Sequence, residues 1–176
     1  MARQGEQTGH ATHGNPTDVQ SVPKPTHKKV FIHTDVRAIS GTEVLMITYQ
    51  CNRALDPRNI ARLFNASGII RPSDDLPRIA RMFEHANLVI SAWDQDLLVG
   101  VCRALTDYSY CCYLSDLAVD RTYQKQGIGS ALIQHIRGAI GEQVSLILLS
   151  APGAMSYYPA NGFLPVENGF VIKRQR

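Results

Sequence analysis

Large net charge, long apolar runs and metal-type cysteine spacing are all missing from this 176-residue chain, and each absence closes off a class of function. No segment approaches the ~20 apolar residues that span a bilayer. The first residues also lack the apolar core of a signal peptide, so the expectation is a cytoplasmic protein without a membrane partner. A formal net charge of +3 is too small to argue for nucleic acid, and Lys and Arg are scattered apart from Lys28-Lys29 and the terminal Lys173-Arg174-Gln175-Arg176. The four cysteines, Cys51, Cys102, Cys111 and Cys112, fit no zinc pattern. Neighbours such as Cys111-Cys112 rarely pair with each other. Most of them sit in β-like apolar runs, so they read as buried free thiols of a reducing compartment, and no metal is expected.

What is present is an ordinary globular composition, 44% hydrophobic and 19% charged, long enough for one domain with a sizeable core. Residues 1–28 hold almost no large apolar side chains and are rich in Gly, Thr, Gln, Pro and His. They cannot bury enough surface to offset their ordering entropy and read as a flexible tail, with the domain over 29–176. His10, His13 and His27 belong to that tail and read as solvated.

Within the domain, VFIHTDV and EVLMITYQ (43–50) predict strands. Asp56-Pro57 opens a helix whose Ile60, Leu63 and Phe64 share a face, and Gly68 ends it. Ser73 reads as a second cap, before Leu76, Ile79, Ala80, Phe83 and Ala86 at helical spacing. Three β runs follow, LVISAW (88–93), LLVGVCRAL (97–105) and CCYLSDLAV (111–119), with turns short enough for antiparallel neighbours. A helix with Ile128, Leu132, Ile136 and Ile140 on one stripe comes next. SLILLS (145–150) has the continuous apolar look of a buried, parallel strand. SYYPANGF reads as a last helix, and a hairpin around Asn168-Gly169 is expected to close the chain. The fold class is α/β: a mixed, mostly antiparallel central sheet with helices on its faces.

The polar stretch between the third β run and its helix holds Gln124, Lys125, Gln126, Gly127, Ile128, Gly129 and Ser130. A Gly-rich turn opening a helix presents unpaired backbone N–H groups at the positive end of the helix dipole, an arrangement suited to a pyrophosphate. Its Q-x-x-G-x-G spacing is neither a P-loop nor the G-x-G-x-x-G dinucleotide fingerprint.

With the D-L-A-V that precedes it, this turn resembles motif A of the GCN5-related N-acetyltransferases, the GNAT superfamily. SYYPANGF is similar to that family's aromatic-Tyr-x-x-x-Gly-Phe, with Tyr157-Tyr158 and Gly162-Phe163. The element order from Glu43 to Lys173 matches as well, about three quarters of the chain. The resemblance implies a strand that splays at a bulge from its parallel neighbour, with the pantetheine arm of acetyl-CoA in the V-shaped gap. It places the backbone of Leu117, Ala118 and Val119 along pantetheine and the N–H groups of Gln124 to Ser130 on pyrophosphate, with Lys125 adding charge. Leu117 N–H would polarise the thioester carbonyl.

Acetyl transfer to an amine requires loss of an ammonium proton, stabilisation of an oxyanion and protonation of the departing thiolate. The resemblance gives the last role to Tyr158, whose alternative reading is an aromatic packed on Tyr157. Polyamine-acetylating relatives carry Tyr-Leu-Glu-Asp where this chain has Tyr113-Leu114-Ser115-Asp116. The base is then Asp116 or a water wire, the alternative for Asp116 being a structural acceptor at the bulge. An Asn that often contacts the cofactor is replaced by Ala151. The acceptor pocket is expected between the first two helices and the strand ends, with Tyr108, Tyr110, Tyr113 and Arg71 as substrate-binding candidates. The expected activity is transfer from acetyl-CoA to a small primary amine. A catalytically idle acyl-CoA-binding module and a peptide or protein N-terminal acetyltransferase stand as alternatives. Homodimers are common among relatives, and Phe170-Val171-Ile172 is a candidate interface strand.

Overall fold

The computed structural model describes residues 32–38 and 44–175, with side chains from Met46 onward. The tail expected over 1–28 lies outside the described residues. A six-stranded sheet runs in chain order: β1 (Ile32–Ala38), β2 (Val44–Cys51), β3 (Leu88–Asp94), β4 (Leu97–Thr106), β5 (Cys111–Val119) and β6 (Ser145–Ile147). Every neighbouring pair is antiparallel except β5 and β6, which are parallel. Helices α1 (Pro57–Ser67) and α2 (Leu76–Glu84) cover one face, and α3 (Ile128–Ile140) covers the other.

The helices begin where local chemistry provides a cap. Asp56 accepts the N–H of Arg58 at 2.8 Å, with Pro57 at the first helical position. The cap of α2 is Asp75 rather than the expected Ser73: its Oδ1 accepts the Arg78 N–H at 2.9 Å, while the Ser73 hydroxyl turns back to the carbonyl of Arg71. A carboxylate one residue before Leu76-Pro77 outcompetes a hydroxyl three residues away, because the proline already sets the first turn.

Two apolar layers sandwich the sheet. Ile60, Leu63, Phe64 and Ile79 pack on Val89, Trp93, Leu98, Val101 and Ala118, while Ile128, Leu132, Ile136 and Ile140 pack on Ile47, Ile90, Cys102 and Leu114. Strands β3 and β4 are therefore buried on both faces, which is why LVISAW and LLVGVCRAL read as unbroken apolar runs although their neighbours are antiparallel.

The run SLILLS has a different explanation. It forms only the three-residue β6, pairs in parallel as expected, and is not buried: Ile147 is 48% exposed. Among the described residues no strand covers its outer edge, because residues 164–175 form no strand and the expected hairpin at Asn168-Gly169 is absent. SYYPANGF contributes a single 3₁₀ turn, Pro159–Asn161, in place of a helix, and another such turn, Pro152–Ala154, precedes it. Pro159 keeps the first turn from running on into the second, and Gly162 in the left-handed conformation (φ 82°) ends the second.

Candidate active site

Strand β5 changes phase in the middle. Arg103 pairs with Asp116 but Ala104 pairs with Leu114, so Ser115 is an extra residue, a β-bulge. Before it, Cys112 and Leu114 face α3; after it, Leu117 and Val119 do. Pairing to β6 ends at Tyr113–Ile147, and from Leu114 onward β5 has no strand on that side among the described residues. The Asp120 N–H bonds Val99 O across β4. By the alternation of an antiparallel ladder, Ala118 then also addresses β4, while Leu117 and Val119 turn their backbone groups to the vacated side. The Val119 carbonyl there accepts from the Gln124 side chain at 2.9 Å.

The chain leaves β5 through a turn held by Asp120, whose Oδ1 accepts the Thr122 N–H and hydroxyl. Burial raises the Asp120 pKa, but these bonds and the nearby Arg62 outweigh it, so the carboxyl stays below its ordinary value. Lys125 (φ 62°) and Gly127 (φ 80°) both take left-handed conformations, and Gln126 Nε2 ties back to Thr122 O. Gly127 is the N-cap of α3 and no side chain caps it, in contrast to Asp56 on α1 and Asp75 on α2. The first bond within α3 runs from Ala131 N to Gly127 O, which leaves the N–H groups of Ile128, Gly129 and Ser130 outside the helical ladder. The helix approaches β4 closely at Gly100, where a Cβ would lie 3.2 Å from Ile128 and Leu132.

Asp116 is buried, with one carboxylate oxygen 2.5 Å from Arg71 Nε and the other 2.5 Å from Arg103 Nε. Arg103 also donates to the Ser115 hydroxyl, and Arg71 donates to the carbonyls of Ser115 and Ile70. The loop between α1 and α2 is thereby fastened to the bulge. Arg103 was not among the residues singled out from the sequence. Its signal was a lone cation inside the buried run LLVGVCRAL, which requires a buried partner.

Tyr158 is half-buried, edge-on to Tyr157 and Phe163 with ring centroids 5.4 and 5.5 Å away. Burial, and secondarily Tyr157, push its phenol above the ordinary value. Tyr157 places its hydroxyl 3.4 Å from Ser130 Oγ, at the first turn of α3. At position 151 an alanine supplies no polar side chain and the 3₁₀ turn that follows has no side-chain cap.

The three expected acceptor tyrosines do not line a common pocket. Tyr108 (φ 57°) donates to Asn87 O and lines a cavity of about 760 Å³ between α1, α2 and the start of β3, with Leu55, Ile60, Phe83 and Val89. Tyr110 is exposed in the turn before β5, and Tyr113 stands in an exposed cross-strand row with Leu105 and Ile147. The cavity lies at the end of the sheet where β5 begins and the glycine turn where it ends, so the two are separate. Cys51, Cys102 and Cys112 are buried free thiols, whereas Cys111 is exposed. Among the described residues no group of three His, Cys, Asp or Glu is placed to hold a metal, and no helix is long and apolar enough to cross a membrane.

Residues 85–165 match the family model of the acetyltransferase (GNAT) domain. A Prochlorococcus marinus protein described as an uncharacterized N-acetyltransferase, ycf52-like, is 22% identical over 131 residues, 71% of this chain and 72% of its own. A GNAT family acetyltransferase from Streptococcus pneumoniae superposes with TM-score 0.60 at 24% identity, covering 74% of this chain and 100% of that one. An aminoglycoside acetyltransferase from an uncultured soil metagenomic sample gives TM-score 0.54 at 20% identity, over 74% and 96% of the two chains. The mixed sheet has the fold of the GNAT acetyltransferases, and the segment from just after α2 through the Gly162 turn is the part that matches their domain model.

Proposed function

We propose that the protein transfers the acetyl group of acetyl-CoA to the primary amine of a small molecule, by direct attack in a ternary complex. The observation that carries this is the uncapped glycine start of α3 next to a strand whose Leu117 and Val119 backbone groups face an opening without a partner strand. When bound, acetyl-CoA supplies the acyl group as a thioester. The residues present fit it: the N–H groups from Gln124 to Ser130 would hold its pyrophosphate with Lys125 adding charge, and the backbone of Leu117, Ala118 and Val119 would line pantetheine. Leu117 N–H would donate to the thioester carbonyl oxygen, and Tyr158, whose phenol burial keeps protonated, would hand its proton to the leaving sulfur.

We assign removal of the ammonium proton to a water wire. Both oxygens of Asp116 already accept from guanidinium groups, so Asp116 acts as a positioning residue that holds the bulge and the α1–α2 loop. Arg71 shares that role, since its three nitrogens each donate within the protein. A peptide amine is the second reading, favoured by the open row Leu105, Tyr113 and Ile147 beside the bulge. Buried free thiols support a reducing, cytoplasmic setting. The full exposure of Phe170 and Ile172 supports a homodimer in which a second copy covers them.

The test is a calorimetric titration with acetyl-CoA, free CoA and dephospho-CoA. Binding in the micromolar range is expected for all three, and no binding at millimolar ligand overturns the reading. Tyr158→Phe should lower turnover about a hundredfold while CoA affinity holds. Intact binding without turnover on any amine or peptide would instead identify an acyl-CoA-binding module. Competition between small amines and peptides separates the two acceptor classes.

A further inference from the structure

Two hydroxyls meet at the first turn of α3, those of Tyr157 and Ser130, while that of the neighbouring Tyr158 does not take part. Tyr158 is packed edge-on between Tyr157 and Phe163, and its hydroxyl makes no hydrogen bond among the described residues. Tyr157 and Ser130 bring their hydroxyl oxygens to 3.4 Å, near the limit of a hydrogen bond, with either atom able to donate. Two hydroxyls carry two hydrogens, and their mutual bond uses one, so one O–H remains to donate outward.

The same tyrosine accounts for the second glycine of the turn. A Cβ at Gly129 would lie 2.5 Å from the Tyr157 hydroxyl oxygen but 3.4 Å from its ring carbon Cζ. It is the hydroxyl, not the ring, that requires glycine there. Tyr157 is also anchored on its own side of the gap: its N–H bonds Ala154 O at 3.1 Å and its carbonyl accepts from the Asn161 side chain at 2.9 Å. The side chain thus reaches from the 3₁₀ turns to the first turn of α3, whose leading N–H groups have no side-chain cap.

We infer that the Tyr157 hydroxyl is a phosphate donor, forming with Ser130 a clasp that closes over the pyrophosphate of the acyl donor at the start of α3. The inference rests on the reading of the glycine turn in the proposed function and adds a side-chain donor to it. The weak hydroxyl–hydroxyl bond gives way to a stronger one, because a hydrogen bond to an anionic oxygen is shorter and about twice as strong as a neutral pair.

Tyr157→Phe removes one oxygen and leaves the ring packing, so folding is retained. Calorimetry with CoA and with pantetheine, which lacks the phosphates, should show CoA affinity reduced about tenfold and pantetheine affinity unchanged. CoA affinity within twofold of the parent overturns the clasp and leaves the proposed function standing. An equal loss for both ligands also overturns it, because the hydroxyl then serves the pantetheine arm. A parent protein that binds no CoA removes both readings together. An apo readout is independent of ligand: Gly129→Ala should lower the melting temperature of the parent and lower it much less in the Tyr157→Phe background. Additive shifts would mean the hydroxyl does not lie over Gly129.

Discussion

At the scale of single residues, Asp116 and Asp107 show how one side-chain type is put to different uses. Asp116 neutralises Arg103, itself buried, and Arg71 at the edge of the same cluster. Asp116→Asn leaves two guanidiniums without a counter-charge, one of them out of water, and should cost about 3 kcal/mol or more in a urea titration. A loss under about 0.5 kcal/mol would mean that the cluster adds nothing to stability. Asp107 is fully exposed, yet its Oδ1 accepts the N–H groups of Tyr110, Ser109 and Cys111 at 2.8, 2.9 and 3.0 Å. Those three bonds pull its carboxyl from 3.8 down to about 2. Because the folded pKa is depressed, the stabilisation is complete above pH 4 and disappears as pH falls towards 2. Melting curves from pH 5 to 2 should therefore fall less steeply for Asp107→Asn than for the parent, and parallel curves would refute this.

At the scale of elements, the three helices divide by how they start. The caps of α1 and α2 are carboxylates serving stability: Asp56→Ala should cost about 1 kcal/mol without changing CoA affinity. The start of α3 is left open by Gly127. Gly127→Asp would place a carboxylate where the pyrophosphate is proposed to bind, so CoA affinity should fall at least tenfold, beside a stability cost of about 1 kcal/mol for a side chain at φ 80°. Unchanged affinity would move the phosphate site elsewhere. The bulge in β5 belongs to this scale too. In CCYLSDLAV the apolar alternation runs through Cys112 and Leu114, then resumes one residue out of phase at Leu117 and Val119. That slip is the signature of an inserted residue, visible once the period of two is followed strictly.

At the scale of the whole molecule, the sheet is closed on both faces but open at β6. Ile147 and Leu149 are exposed there, and Leu164, Phe170 and Ile172 touch little of the described protein. Replacing Phe170 and Ile172 together by Ser should leave the melting temperature almost unchanged, since neither side chain is buried within the chain. Light scattering should show a dimer for the parent and a monomer for the double variant if a second copy covers this segment. A parent that is monomeric at all concentrations removes the homodimer proposal.

Much of this architecture was legible from local patterns. Caps, helical stripes, short turns and the Q-x-x-G-x-G stretch are each encoded within a few residues, so neighbouring side chains suffice to read them. Strand β6, the terminal segment and the cap of α2 were misread for one reason: an apolar run or a serine has the same local appearance whether or not something covers it or competes with it. The site divides along the same line. The uncapped glycine start of α3 is a property of sequence, because it follows from what Gly127 lacks. The capture of Asp116 by Arg71 and Arg103, 45 and 13 residues distant, and the approach of Tyr157 to Gly129 were decided by tertiary structure alone. Long-range pairing of buried charges and close backbone contacts depend on the packing of whole elements, and no short window of sequence contains that information.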